Sequence, residues 1–174
     1  MVNGKKHGVV TAAGLVTGIL IHTSLVAFGI SAIIRASEMT FLIIRILGAF
    51  YLFYLAYKVW KSEPDITYSI QNVRQNSLFS LFRQGFLMNV LNPKVTIFFL
   101  AFFPGFLWEP EENTVSQFYL LGFLFMLQAF VIFSAVAVLA GNISKYLQKY
   151  PASGVVLKWV QIVVFITIGI LILL

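Results

Sequence analysis

Apolar residues along this chain gather into five long runs separated by polar breaks. The runs cover about residues 9–34, 41–60, 84–108, 115–141 and 155–174. Each is roughly 20 residues or more, enough for a helix to cross a hydrocarbon core of about 30 Å. The first contains no formal charge, only His22; the second is interrupted by Arg45; the fifth carries Lys158 near its start. Residues 61–83 form the one polar linker of any size, and its Ser, Asn, Gln and mixed charges read as a solvated loop or surface helix. The pattern predicts an all-α polytopic membrane protein with five transmembrane helices, forming a single integral membrane domain over residues 1–174.

The opening Met1-Val2-Asn3-Gly4-Lys5-Lys6-His7 before an apolar run has the outline of a signal peptide. The run is too long for the hydrophobic region of one, and no small-residue cleavage site follows it, so it reads as a membrane helix. Composition agrees: 60% of residues are hydrophobic, 10% are charged and the mean hydropathy is +0.92. Soluble domains are nearer half apolar and a quarter charged, which excludes that class. The absence of cysteine removes disulfides, thiolate chemistry and cysteine metal sites.

A net charge of +6 does not indicate a nucleic-acid partner, because the cations sit in short loops beside apolar runs. Those loops orient the bundle instead. Lys5, Lys6, Lys58, Lys61, Arg74, Arg83, Lys145 and Lys149 fall on one side. The other side has Arg35, offset by Glu38, and the acidic loop of Glu109, Glu111 and Glu112. The positive-inside rule puts the amino terminus in the cytoplasm and the carboxyl terminus outside.

Within the third run, Asn89-Val90-Leu91-Asn92-Pro93-Lys94 places two amides, a proline and a cation where a lipid-facing helix would carry leucines. Proline removes a backbone donor and obstructs the carbonyl one turn earlier. A charge at membrane depth costs a few kcal/mol or more. Such a cluster belongs in protein or against a wet cavity. Pro93 is expected to break or kink the span and to free carbonyls near Asn89 and Val90. The amides of Asn89 and Asn92 can satisfy that backbone, bind a substrate's carboxylate and ammonium, or join helices. Lys94 can attract a carboxylate or snorkel to the interface.

His22 is the one group within the apolar runs of a type that titrates near neutrality. No Asp or Glu lies within any run, so proton coupling in this chain would rest on His22; a histidine bonded to a neighbouring helix is the alternative. Gly14 and Gly18 share its helix side and allow close packing. Gln128, near the middle of the fourth run, can face a cavity. Tyr57, Trp60, Trp108 and Trp159 lie toward run ends as an aromatic belt would, and Arg45 is expected to reach the outer interface.

Aligning Ile44-Arg45-Ile46-Leu47-Gly48-Ala49-Phe50-Tyr51 with Leu157-Lys158-Trp159-Val160-Gln161-Ile162-Val163-Val164 matches a cation and then mostly apolar residues at equal offsets. Run two then corresponds to run five and run one to run four, leaving run three unpaired. That is an incomplete three-plus-three inverted repeat, which needs one more helix before Val9.

Gly14-x3-Gly18-x3-His22, then Gly48-Ala49-Phe50-Tyr51-Leu52, then Gly85-Phe86-Leu87-Met88-Asn89-Val90-Leu91-Asn92-Pro93-Lys94, and finally Phe103-Pro104-Gly105-Phe106 resemble the LysE/RhtB-type family of amino-acid exporters in order and spacing. The likeness runs from about Gly4 to the end. The Gly-Phe-x-x-Asn-x-x-Asn-Pro-Lys string is its specific part. Family members begin with a further helix bearing Pro-Gly-Pro, and this sequence has no counterpart to it. The resemblance implies a multi-pass protein of a bacterial inner (plasma) membrane. It would export an amino acid or related small metabolite by proton antiport, without cofactor or metal.

The substrate pathway is then expected at Asn89, Asn92, Pro93, Lys94, His22 and Gln128, with helix packing at Gly14, Gly18 and Gly48. Small faces are also available for a homodimer. Two other classes compete. A membrane-embedded enzyme needs convergent acids, a metal site or an activated nucleophile, and two histidines without an intramembrane carboxylate argue against it. A truncated, non-transporting fragment or assembly partner is the other, suggested by the missing helix.

Overall fold

The computed structural model describes residues 4–63, 77–109, 112–150 and 152–174. Every regular element among them is helical. The chain begins with α1 (Lys5–Leu25), which runs through a π-helical turn (Val26–Ile30) into α2 (Ser31–Ala36). Next come α3 (Glu38–Lys61), α4 (Leu78–Val90) and α5 (Pro93–Phe102) with its 3-10 extension (Phe103–Phe106). The last two are α6 (Thr114–Lys149) and α7 (Ala152–Leu173). Four segments, Lys5–Ile33, Glu38–Lys61, Thr114–Ser144 and Ala152–Leu173, are each long and apolar enough to cross a membrane. The pair Leu78–Val90 and Pro93–Phe106 makes a fifth, bent by 54°. The chain is an all-α polytopic membrane protein.

The third span departs from the run expected over 84–108. Its helix starts at Leu78, six residues inside the expected linker over 61–83. Ser77 makes that start possible, its side chain accepting the Ser80 N–H at 3.2 Å as an N-cap. Residues 64–76 of the linker, with Arg74, lie outside the described residues, as does Glu111. At the other end α6 runs on to Lys149, past the apolar run that stops near Gly141. At 1.5 Å per residue, 36 residues reach about 54 Å, so this helix extends beyond the hydrocarbon core.

Two layers meet at α5. On one side α1 packs parallel to α4, with Gly14 against the backbone of Phe82 and Phe86 and Gly85 against that of Thr11 and Leu15. Antiparallel α6 closes over α1: Thr23 fills the space left by Gly122, and the Ser24 and Tyr119 hydroxyls are 2.9 Å apart. Between α1, α5 and α6 lies a core of Ile19, Val26, Ile30, Phe99, Phe103 and Phe118.

On the other side α3 packs antiparallel to α7. The Lys158 ammonium donates to the Ser62 carbonyl at 2.7 Å, tying the end of α3 to the start of α7. At the opposite end the Arg45 guanidinium donates to the Ile172 carbonyl, Nε at 2.8 Å and Nη2 closer still. Arg45 thus caps the last turn of α7, where carbonyls lack helical partners and a cation suits the dipole. Gly48 of α3 meets Ala101 of α5, joining the layers.

Candidate functional site

The site is built around the break between α4 and α5. In an uninterrupted helix the N–H of residue 93 would bond the carbonyl of Asn89, and proline has none. Asn92 turns the chain with extended backbone, φ −85° and ψ 104°, and its Oδ1 accepts the Lys94 N–H at 3.1 Å. Asn92 is therefore the N-cap of α5, and Pro93 occupies the first helical position, where its missing donor costs least.

The Asn89 carbonyl finds two other donors. The Asn92 N–H reaches it at 2.9 Å, and His22 Nε2 approaches to 3.1 Å from α1. A carbonyl only accepts, so Nε2 carries the hydrogen. In the neutral ring Nδ1 is then an acceptor, and the Thr96 hydroxyl lies 3.3 Å from it. The same hydroxyl is 3.4 Å from the Asn92 carbonyl. His22 is 1% exposed, with its ring 5.8 Å from that of Phe99. Gly18 makes room beside it, since a Cβ there would lie 2.8 Å from Asn89 Oδ1. That oxygen is buried with no hydrogen-bond partner.

Beyond the break lies a cavity of ≈ 380 Å³ between α5, α6 and α7, floored by Ile19 of α1 and Leu52 of α3. Its polar lining residues are Asn89, Lys94 and Gln128. The Lys94 ammonium sits 5.1 Å from the centre of the Phe165 ring, a cation–π contact. No carboxylate is among the described lining residues.

Of the six residues expected on a substrate pathway, three come together in this wall: Asn89, Lys94 and Gln128. His22 lies one layer behind, holding the Asn89 carbonyl. Asn92 and Pro93 form the break and do not line the cavity.

Sequence reasoning missed Thr96, although Asn89, Asn92 and Thr96 fall at i, i+3 and i+7, the spacing of one helix face. It also missed Gln117, 2% exposed, whose amide straps the loop before α6. Its Oε1 accepts the N–H groups of Trp108 and Glu109 at 3.0 and 3.2 Å. Its Nε2 donates to the carbonyls of Glu109 and Glu112 at 2.8 and 2.7 Å. The available signal was a lone amide one turn into an apolar run, directly after an acidic loop.

Residues 1–174 match the family model described as LysE type translocator. The chain belongs to this family. An "Uncharacterized membrane protein" of Vibrio cholerae serotype O1 is 32% identical over 147 residues, which are 84% of this chain and 70% of the relative. A homoserine/homoserine lactone efflux protein of Salmonella typhimurium is 30% identical over the same shares, and its counterpart in Salmonella typhi 29%. No solved structure matches the chain. Membership makes the bundle that of a multi-pass translocator and sets the broken span and its cavity in a transport context.

Proposed function

We propose that this protein is a secondary exporter of amino acids or closely related small metabolites, driven by proton entry. The observation that carries the reading is Lys94, an ammonium in the wall of an intramembrane cavity with no carboxylate among the described lining residues. Its partner there is the face of Phe165, and such a contact is weaker than an ion pair with a desolvated carboxylate. Among its described residues the cavity therefore lacks the anion that a substrate's α-carboxylate supplies. Asn89 and Gln128 provide amide groups for the rest of the amino-acid head. Homoserine, in the names of the two Salmonella efflux proteins, has the same α-carboxylate and α-ammonium, whereas the lactone named beside it has no free carboxylate.

Proton coupling falls to His22. As the neutral ring it donates to Asn89 O and accepts from Thr96. A doubly protonated ring would donate from both nitrogens, and the Thr96 hydroxyl can accept while its hydrogen turns to Asn92 O. Both charge states thus find hydrogen-bond partners at the broken helix, which lets a proton be held there.

Efflux of radiolabelled amino acids from preloaded proteoliposomes tests the reading, with and without an imposed pH gradient. The full chain should accelerate efflux over protein-free vesicles, and inward-directed protons should accelerate it further. His22→Gln keeps an N–H donor but cannot bind a proton, so its efflux should persist without response to the gradient. Efflux at the protein-free rate would refute export, and a gradient response retained by His22→Gln would refute this proton site.

A further inference from the structure

Once Lys94 is assigned to a carboxylate, the rest of the cavity constrains the side chain of the substrate. Twelve of the fifteen described lining residues are apolar, and five of them are Phe98, Phe99, Phe125, Phe133 and Phe165. The polar set is Asn89, Lys94 and Gln128. An amino acid's α-ammonium must be desolvated beside a protein cation with no acidic lining residue described, so it needs neutral carbonyl acceptors. Among the described lining residues, the amides of Asn89 and Gln128 are the neutral groups that can supply them. With those three residues occupied by the head group, apolar wall is what is left for the side chain.

A cationic side chain fares worst in such a place. It would bring a third positive charge into a space that already holds Lys94 and the α-ammonium against one carboxylate, and burying an unpaired charge is costly. A hydroxyl loses its hydrogen bonds to water without replacement, whereas a branched or aromatic hydrocarbon gains by leaving water. The volume, ≈ 380 Å³, lies at the small end of the range for small-molecule pockets, which suits a single amino acid and not a peptide.

We propose that the cavity selects amino acids with a large apolar side chain, leucine and phenylalanine among them, over hydroxylated ones, and rejects basic ones. The selectivity rests on the exporter reading above. It gives this chain a different preference from that in the names of the two efflux proteins it resembles.

The test loads separate batches of proteoliposomes holding the full chain with leucine, phenylalanine, homoserine, lysine or arginine, and compares rates with protein-free vesicles. Leucine and phenylalanine should leave about 10-fold faster than lysine or arginine, the scale of discrimination an apolar pocket supports, with homoserine between. Gln128→Glu, which keeps the side chain's shape and adds a carboxylate, should raise lysine efflux about 10-fold and lower leucine efflux. Lysine or arginine leaving as fast as leucine in the unsubstituted protein would overturn the selectivity while leaving export intact. Homoserine leaving fastest, with leucine at background, would overturn it in the same way. Should none of the five leave faster than from protein-free vesicles, the exporter reading itself falls and the selectivity with it.

Discussion

Gly14→Ala and Gly85→Ala should each loosen the seam between α1 and α4, and with it the hydrogen bond that steadies the broken helix. A Cβ on Gly14 would overlap the Phe82 carbonyl oxygen and come within 2.9 Å of its carbon and 3.0 Å of the Phe86 nitrogen. A Cβ on Gly85 would overlap the Thr11 carbonyl oxygen and stand 3.0 Å from the Leu15 nitrogen. In both cases the obstacle is backbone, which cannot rotate aside as a side chain can, so the helices must part. Alanine in place of glycine favours a helix by about 1 kcal/mol. Overpacking costs about 1–3 kcal/mol, and a clash with main chain belongs at the upper end. The net expectation is a loss of about 1–2 kcal/mol for each substitution.

The same separation reaches the site. His22 Nε2 lies 3.1 Å from Asn89 O, and only about 0.4 Å of added distance takes it beyond a hydrogen bond. Gly29 and Gly141 supply the control, because a Cβ at either meets nothing within 4 Å. Alanine there should be neutral or stabilising by up to about 1 kcal/mol. Thermal unfolding of the purified protein in one detergent, at one scan rate, orders the four variants. For a chain of this size about 1 kcal/mol moves the midpoint by roughly 2–4 °C. Gly14→Ala and Gly85→Ala should unfold several degrees below the unsubstituted protein, and the other two at or above it. Midpoints for Gly14→Ala and Gly85→Ala that match those of Gly29→Ala would refute the close-approach reasoning.

Two further outcomes follow from single residues and a third from the loop charges. Gln117→Leu keeps the bulk but removes all four hydrogen bonds to residues 108, 109 and 112, so it should cost about 2–4 kcal/mol by the usual penalty for unpaired buried groups. Limited proteolysis should then cut between Leu107 and Asn113 at a protease level that leaves the unsubstituted chain intact, and equal resistance would refute the strap. Arg45→Met should lower the unfolding midpoint by freeing the Ile172 carbonyl, at a cost of about 1–3 kcal/mol, whereas Arg45→Lys should recover part of it; equal midpoints for all three proteins would show the cap to be without energetic weight. Reporter fusions should place the amino terminus in the cytoplasm and the carboxyl terminus outside, as the loop charges require, and a cytoplasmic carboxyl-terminal reporter would refute that orientation.

The five spans were legible because a stretch of apolar residues long enough to cross a bilayer admits few other structures. The break was legible for a similar reason: Pro93 denies a donor to Asn89 O whatever surrounds it. Where the helix of the third span begins was not legible from hydropathy. Ser77, Ser80, Arg83 and Gln84 lower the mean there, and the cap that starts α4 is a two-residue event invisible to a long window. Arg45 shows a different limit. Its charge suggested the interface, but the Ile172 carbonyl it bonds is 127 residues further along the chain. Partners so remote in sequence are set by packing, and no local pattern announces them.

His22 joins the local and the remote. The donor that Pro93 removes is replaced by a ring 67 positions before Asn89, and the replacement holds only while α1 lies against α4 at glycine-limited distance. Gly14 and Gly85 set that distance from both sides, and Gly18 admits the Asn89 side chain next to the ring. Alanine at the seam, loss of the ring and loss of the proline therefore all disturb one carbonyl, that of Asn89. Asn89 also lines the cavity together with Lys94. A change in how His22 holds the Asn89 backbone is thus felt in the cavity wall through a single residue.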